Sequence, residues 1–150
     1  MSPSVCESVS IDAPVERVWE KVMDARCLGE WVSTHDSVEG AVSGAAEKGM
    51  SFTQRLKLAG KGFKVSWLIV EADAPRLARW RGEGPGGSAA RVVYRLAEEG
   101  GGTRFDYENE YELPGGLLGK AAGAVFSTAP ARREARRSLE NLKRLLESER

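Results

Sequence analysis

The sequence predicts an α+β fold in which a strand and two short helices precede a run of antiparallel strands and a long closing helix. Three observations carry the prediction. Residues 5–11 alternate apolar with polar side chains, and turn signals divide further alternating segments from about residue 35. After Pro114-Gly115-Gly116 the apolar period becomes helical almost to the end.

The first strand sets Val5, Glu7, Val9 and Ile11 against Cys6, Ser8 and Ser10, so one face can lie on a core. It ends at Asp12-Ala13-Pro14. Asp12 is placed to cap the next helix and Pro14 to enter its first turn, after which Val15, Val18, Trp19, Val22 and Met23 recur at helical spacing. Asp24 opens a second helical segment with Leu28 and Trp31, which Gly29 limits to a turn or two.

Turns are expected at Gly40 to Gly49, Gly60 to Gly62, Asp73-Ala74-Pro75, Gly82 to Gly87 and Gly100-Gly101-Gly102, the spacing of an antiparallel meander. Between them one face collects Met50, Phe52, Gln54, Leu56 and Leu58, then Phe63, Val65, Trp67 and Ile69, then Ala78 and Trp80. It continues with Ala90, Val92, Tyr94 and Leu96, and with Thr103, Phe105, Tyr107, Asn109, Tyr111 and Leu113. The opposite face is charged, as in an antiparallel sheet with one covered and one wetted side. Its acidic row, Asp106, Glu108, Glu110 and Glu112, meets Arg91 and Arg95 on the neighbouring strand. Cross-strand ion pairing is therefore expected, and a metal site is not, because period-2 carboxylates lie along a line instead of converging.

The closing helix carries Leu117, Leu118, Ala121, Ala122 and Val125, then Ala135, Leu139, Leu142, Leu145 and Leu146. It is read as the one element able to cover the sheet. Pro130 predicts either a kink or two helices, the second capped by Ser127 or Thr128. Arg136 to Glu140 and Glu140 to Arg144 are spaced for helical ion pairs. The small residues between Gly115 and Ala129 suit either a movable cavity wall or close packing against the sheet.

Composition narrows the function classes. The 150 residues carry 22 Lys+Arg against 22 Asp+Glu and one His, a formal net charge of zero. A chain of this size buries roughly 68–70% of its unfolded surface, enough for one domain over residues 1–150 with a core and space for a cavity. Nucleic acid is not expected as a partner, because phosphate binding needs a net or strongly clustered positive field. Cys6 and Cys27 are too few for a disulfide framework and do not form a CxxC pair. With no signal-peptide pattern at the N-terminus and no apolar run approaching about 18 residues, a cytoplasmic protein without an integral membrane segment is expected. The single His and the two distant Cys do not make a zinc site. No phosphate-cradling GxxxxGK[ST] occurs, so neither metal nor cofactor is expected.

Several segments resemble the START-like, or SRPBCC, superfamily, with the polyketide cyclase/dehydrase branch closest. They are Val9-Ser10-Ile11-Asp12-Ala13-Pro14-Val15-Glu16-Arg17-Val18-Trp19, Trp31, Asp73-Ala74-Pro75-Arg76-Leu77, Gly102-Thr103-Arg104-Phe105 and Ser138-Leu139-Glu140-Asn141-Leu142-Lys143. The resemblance implies a helix-grip fold, in which a curved antiparallel sheet of about seven strands wraps the last helix and leaves a cavity for an apolar ligand. It does not choose an activity, because members include carriers, cyclases and co-chaperone-like proteins.

The candidate ligand contacts are the inward polar and aromatic residues Gln54, Trp67, Trp80, Tyr94, Tyr107, Asn109 and Tyr111. Buried amides and phenols need partners, which can be each other, water or a ligand. An apolar pocket with a few convergent polar groups is the usual small-molecule site, and a filled core with hydroxyls at the rim is the alternative. His35, Ser33 and Asp36 offer triad residue types, but groups so close in sequence do not normally converge as nucleophile, base and orienter. Binding or transport of a lipid, polyketide or quinone-like molecule ranks first. Cyclase or dehydrase activity by carbonyl polarisation ranks second, and a co-chaperone-like interaction role third. No catalytic residue, ligand identity or oligomeric state follows from the sequence.

Overall fold

A computed structural model describes residues 4–40, 44–58, 60–112 and 128–149. Strand β1 (Ser4–Ile11) leads into helix α1 (Val15–Met23), a 3-10 turn at Ala25–Cys27 and the single-turn helix α2 (Leu28–Trp31). Strands β2 (His35–Glu39), β3 (Ser51–Leu58), β4 (Lys61–Asp73), β5 (Leu77–Glu83), β6 (Ala89–Glu99) and β7 (Gly102–Glu112) follow, and then helix α3 (Thr128–Ser148).

Among the described residues the strands form one seven-stranded antiparallel sheet in the order β1-β7-β6-β5-β4-β3-β2. The chain thus starts at one edge, crosses to the other through α1 and α2, and returns hairpin by hairpin to lie beside β1. Short turns enforce this path: Gly100 and Gly101 both have positive φ between β6 and β7, as a two-residue type I′ hairpin requires.

The apolar alternation sits on the inner face as the sequence predicts. Phe52, Val65, Trp67, Ile69, Ala78, Trp80, Val92, Tyr94, Leu96 and Phe105 are buried in one cluster. Outside, Arg95 pairs with Glu108 at 2.9 Å, Arg91 with Glu110 at 3.7 Å and Arg104 with Asp106 at 3.1 Å. These exposed pairs orient the surface and add little stability.

Four expectations need correction. The position before α1 is Pro14, which offers no capping side chain, and the Asp12 backbone N–H donates to Glu147 of α3 at 2.9 Å. Helix α3 does not cover the sheet alone: Val18, Trp19, Val22 and Met23 of α1 and Leu28 and Trp31 of α2 belong to the same core as Leu139, Leu142 and Leu146. Arg136 reaches Glu7 on β1 at 2.9 Å instead of pairing with Glu140, while Lys143 and Glu147 supply an i,i+4 pair at 2.7 Å. Finally, Gly82 is not a turn residue.

Gly82 lies within β5, buried, opposite Trp67 of β4. A Cβ there would fall 2.6 Å from Val65 Cγ1 and 2.7 Å from Trp67 Cζ3, so only glycine lets those side chains come so close to that strand.

Pro130 falls in the first turn of α3, where backbone N–H groups have no intrahelical acceptor and a proline is tolerated, and a helix ahead of it, as the two-helix expectation has it, would fall on residues 113–127, outside the described residues. The suggested movable wall lies almost wholly in residues 113–127, outside the described residues, as does Leu113. Among the described residues no helix is long and apolar enough to cross a membrane.

Replacing Gly82 with alanine is expected to cost about 1–3 kcal/mol through overpacking against Trp67. Denaturant unfolding should show a lower midpoint at unchanged slope, and a wild-type midpoint would refute the close approach.

Candidate ligand-binding cavity

The inner face is built from large flat side chains delivered by successive strands. Phe52 of β3 meets Trp80 of β5 edge to face, with ring centres 5.5 Å apart, and Trp67 of β4 meets Trp80 at 6.1 Å. Trp80 is tilted against Tyr94 of β6 at 5.4 Å, and Tyr94 lies 5.2 Å from Phe105 and 6.1 Å from Tyr107 of β7. Edge-to-face packing of this kind adds about 0.5–1.5 kcal/mol per pair beyond area burial.

Opposite these rings α3 presents Ala131, Ala135 and Ser138, at i, i+4 and i+7 on one helix face. Bulk on one wall and small residues on the other leave a cavity of about 140 Å³ between sheet, α2 and α3. All seven residues singled out from the sequence, Gln54, Trp67, Trp80, Tyr94, Tyr107, Asn109 and Tyr111, are among those lining it. Exposed Pro85 and half-buried Ser88, from the β5–β6 connection, form part of its edge.

Two polar groupings interrupt the apolar lining. In the first, Trp67 Nε1 donates to Gln54 Oε1 at 2.9 Å, and Gln54 Nε2 lies 2.8 Å from His35 Nδ1. An indole N–H can only donate, so the Gln54 oxygen must face Trp67 and its NH₂ must face His35. The His35 Nδ1 is then an acceptor, and the ring is neutral with its proton on Nε2. Burial, opposed by the neighbouring Asp36 charge, holds the His35 pKa below its ordinary value, in agreement with a neutral ring.

In the second grouping, Asn109 Nδ2 donates to the hydroxyls of Tyr107 at 2.8 Å and Tyr111 at 3.2 Å. Asn109 is 7% exposed and its Oδ1 has no partner among the described residues. A phenol can both donate and accept, so either orientation of the amide leaves one of its atoms bare. The indole nitrogens of Trp31 and Trp80, both in cavity-lining side chains, are likewise buried without partners among the described residues.

Near the junction of α2 and α3, Ser33 Oγ donates to Glu134 Oε2 at 2.6 Å, and the Ser33 backbone N–H donates to Ser138 Oγ at 2.9 Å. Ser33 and His35 thus serve different partners, and the triad residue types do not assemble. Glu134 was not marked by the sequence, although it lines the cavity; its i,i+4 relation to Ser138 is the signal that places both on one helix face. Nothing in the sequence pairs His35 with Gln54, because that contact is made across strands.

The tyrosines cannot act as bases. Burial pushes Tyr111 up to about 12 and raises Tyr94 and Tyr107 further. They remain neutral hydrogen-bonding groups at any physiological pH.

The comparisons agree with this geometry. Residues 2–147 match the family described as "Polyketide cyclase / dehydrase and lipid transport", and the chain belongs to that family. A relative named Toxin Rv0910, from Mycobacterium tuberculosis, is 26% identical over 136 residues, covering 89% of this chain and 91% of its own. Among solved structures, TTHA0849 from Thermus thermophilus superposes with a TM-score of 0.74 at 22% identity, over 98% of this chain and 99% of its own. DynU16, a protein of the dynemicin biosynthetic locus, gives a TM-score of 0.67 at 21% identity over 98% of this chain, which spans about half (48%) of DynU16. The helix-grip expectation and the superfamily resemblance are borne out.

These three are all the tyrosines of the chain, so its phenol absorbance reports the cavity wall alone. Absorbance near 295 nm should stay flat through pH 10–11 in the folded protein and rise near about 10 once it is unfolded. Because the folded pKa values lie above the unfolded ones, this contribution to stability is complete below about pH 10 and is lost as pH rises toward the folded values. A tyrosine titrating near 10 in the folded state would contradict the buried placement.

Proposed function

We propose that the protein binds a compact, ring-bearing apolar molecule carrying at least one oxygen, in the cavity between the sheet and α3. The observation that carries this reading is that Asn109, Trp31 and Trp80, which all line the cavity, each keep one buried side-chain polar atom without a partner among the described residues. An unsatisfied buried polar group costs about 1–3 kcal/mol, which a ligand donor or acceptor recovers.

The volume supports a small ligand. At about 140 Å³ the cavity compares with apolar cavities of about 150 Å³ that hold benzene, and falls below the roughly 300 Å³ at which drug-sized pockets begin. Of a lipid, a polyketide and a quinone-like molecule, a compact quinone-like compound suits it better than a long-chain lipid. A co-chaperone-like role predicts a collapsed interior with a partner held on an exposed surface, and the cavity favours the binding reading over it. Free Cys6 and Cys27 agree with a reducing, cytoplasmic setting.

A cyclase reading is kept by one observation. Enolate formation needs a base, and among the described residues lining the cavity Glu134 is the one carboxylate. Glu134→Gln should abolish turnover of a poly-β-ketone while leaving its binding within a few-fold if this reading is correct.

Native mass spectrometry of protein purified from its own host tests the binding reading directly, with a bound mass in the range of a single substituted ring expected. In vitro, Asn109→Leu should weaken 4-ethylphenol about tenfold and ethylbenzene hardly at all, the difference being one hydrogen bond. Equal losses for both probes, followed by tryptophan fluorescence, would sink the polar-contact argument.

A further inference from the structure

His35 does not line the cavity, yet it decides what Gln54 shows there. Trp67 can only donate, which fixes the Gln54 oxygen, and His35 Nδ1 then takes one of the two protons on Gln54 Nε2. Gln54 is 4% exposed and lines the cavity, and its second N–H has no further partner among the described residues. That N–H is the donor left for a ligand.

We propose that His35 is a positioning residue that holds the Gln54 amide with an N–H toward the cavity, so that the site selects ligands bearing a carbonyl oxygen and loses this preference when the imidazole is protonated. The inference rests on the binding reading above. Protonation places an N–H on the Nδ1 that must accept, against an NH₂ that cannot turn without breaking the Trp67 bond. The amide is then released from one of its two anchors.

The surroundings of the ring leave few competing charges. Asp36, next on β2, is the charged group acting on it among the described residues. Helix α2 approaches with Gly29, whose missing Cβ would lie 3.2 Å from His35 Cδ2, and β3 presents Gln54 and, opposite in register, Leu56. The backbone N–H of His35 donates to Val32 at 3.1 Å, which anchors the residue while its ring titrates.

The experiment compares 4-hydroxyacetophenone with 4-ethylphenol, which have the same phenol and differ by the carbonyl. The ratio of their dissociation constants should favour the ketone about tenfold at pH 7.5 and vanish at a pH low enough to protonate His35, on the acid side of the ordinary imidazole range. His35→Asn, which offers an amide oxygen and does not titrate, should keep the preference at both pH values, whereas His35→Phe should lack it at both. In the free wild-type protein, the Trp67 indole N–H and Gln54 side-chain amide resonances should shift together as His35 titrates. A preference that is independent of pH in the wild type, or resonances that ignore the His35 titration, would overturn the positioning role alone. Failure of both probes to bind at pH 7.5 while the resonances still shift would instead overturn the binding reading and the selectivity built on it.

Discussion

Trp80 sits where the aromatic contacts of the inner face meet. Phe52 and Trp67 press on it at right angles and Tyr94 at a tilt, so rings from β3, β4, β5 and β6 lock one another in place. Rings packed edge to face present both a flat surface and a rim, and they do not slide together to fill a gap as aliphatic chains do. The facing helix supplies the short side chains of Ala131, Ala135 and Ser138, of which the two alanines pack beside Tyr107 and Tyr111. The cavity therefore follows from a mismatch in side-chain size between two walls that are each well supported. Leu139, Leu142 and Leu146, further along α3, pack with α1, α2 and the sheet, and hold those walls apart.

The polar atoms of the lining are arranged with different degrees of completion. Gln54 satisfies Trp67 and engages His35, so its amide orientation is determined by donors and acceptors outside its own control. Asn109 satisfies two phenols but keeps one atom bare, and Trp31 and Trp80 keep bare indole nitrogens. A protein core selected for stability alone would not retain several such groups, since each carries a desolvation cost. Their common position in the lining of one small cavity is what the proposed ligand would account for.

Much of this was legible in the sequence. Period-2 alternation put Gln54, Trp67, Trp80, Tyr94, Tyr107, Asn109 and Tyr111 on the inner face, because a strand offers only two faces and one of them was plainly charged. The failures share a cause. Gly82 reads as a turn beside Gly84, Gly86 and Gly87, and its need for close approach appears only when Trp67 arrives from β4. Arg136 has a good helical partner in Glu140 and still chooses Glu7, since β1 lies alongside α3. His35 stands out in the sequence only as a triad residue type beside Ser33 and Asp36, and its contact with Gln54 is made from β3.

Local spacing by itself determined the elements, their order and the identity of the covered face, because helical and strand periodicity are properties of the chain over a few residues. Only the tertiary structure decided that the two faces of the cavity differ in bulk and that α1 and α2 share the cover. It also oriented the Gln54 amide between Trp67 and His35. Those outcomes depend on distances between residues far apart in the chain, and a hydrogen-bond donor or a missing side chain acquires its meaning only from what stands opposite it.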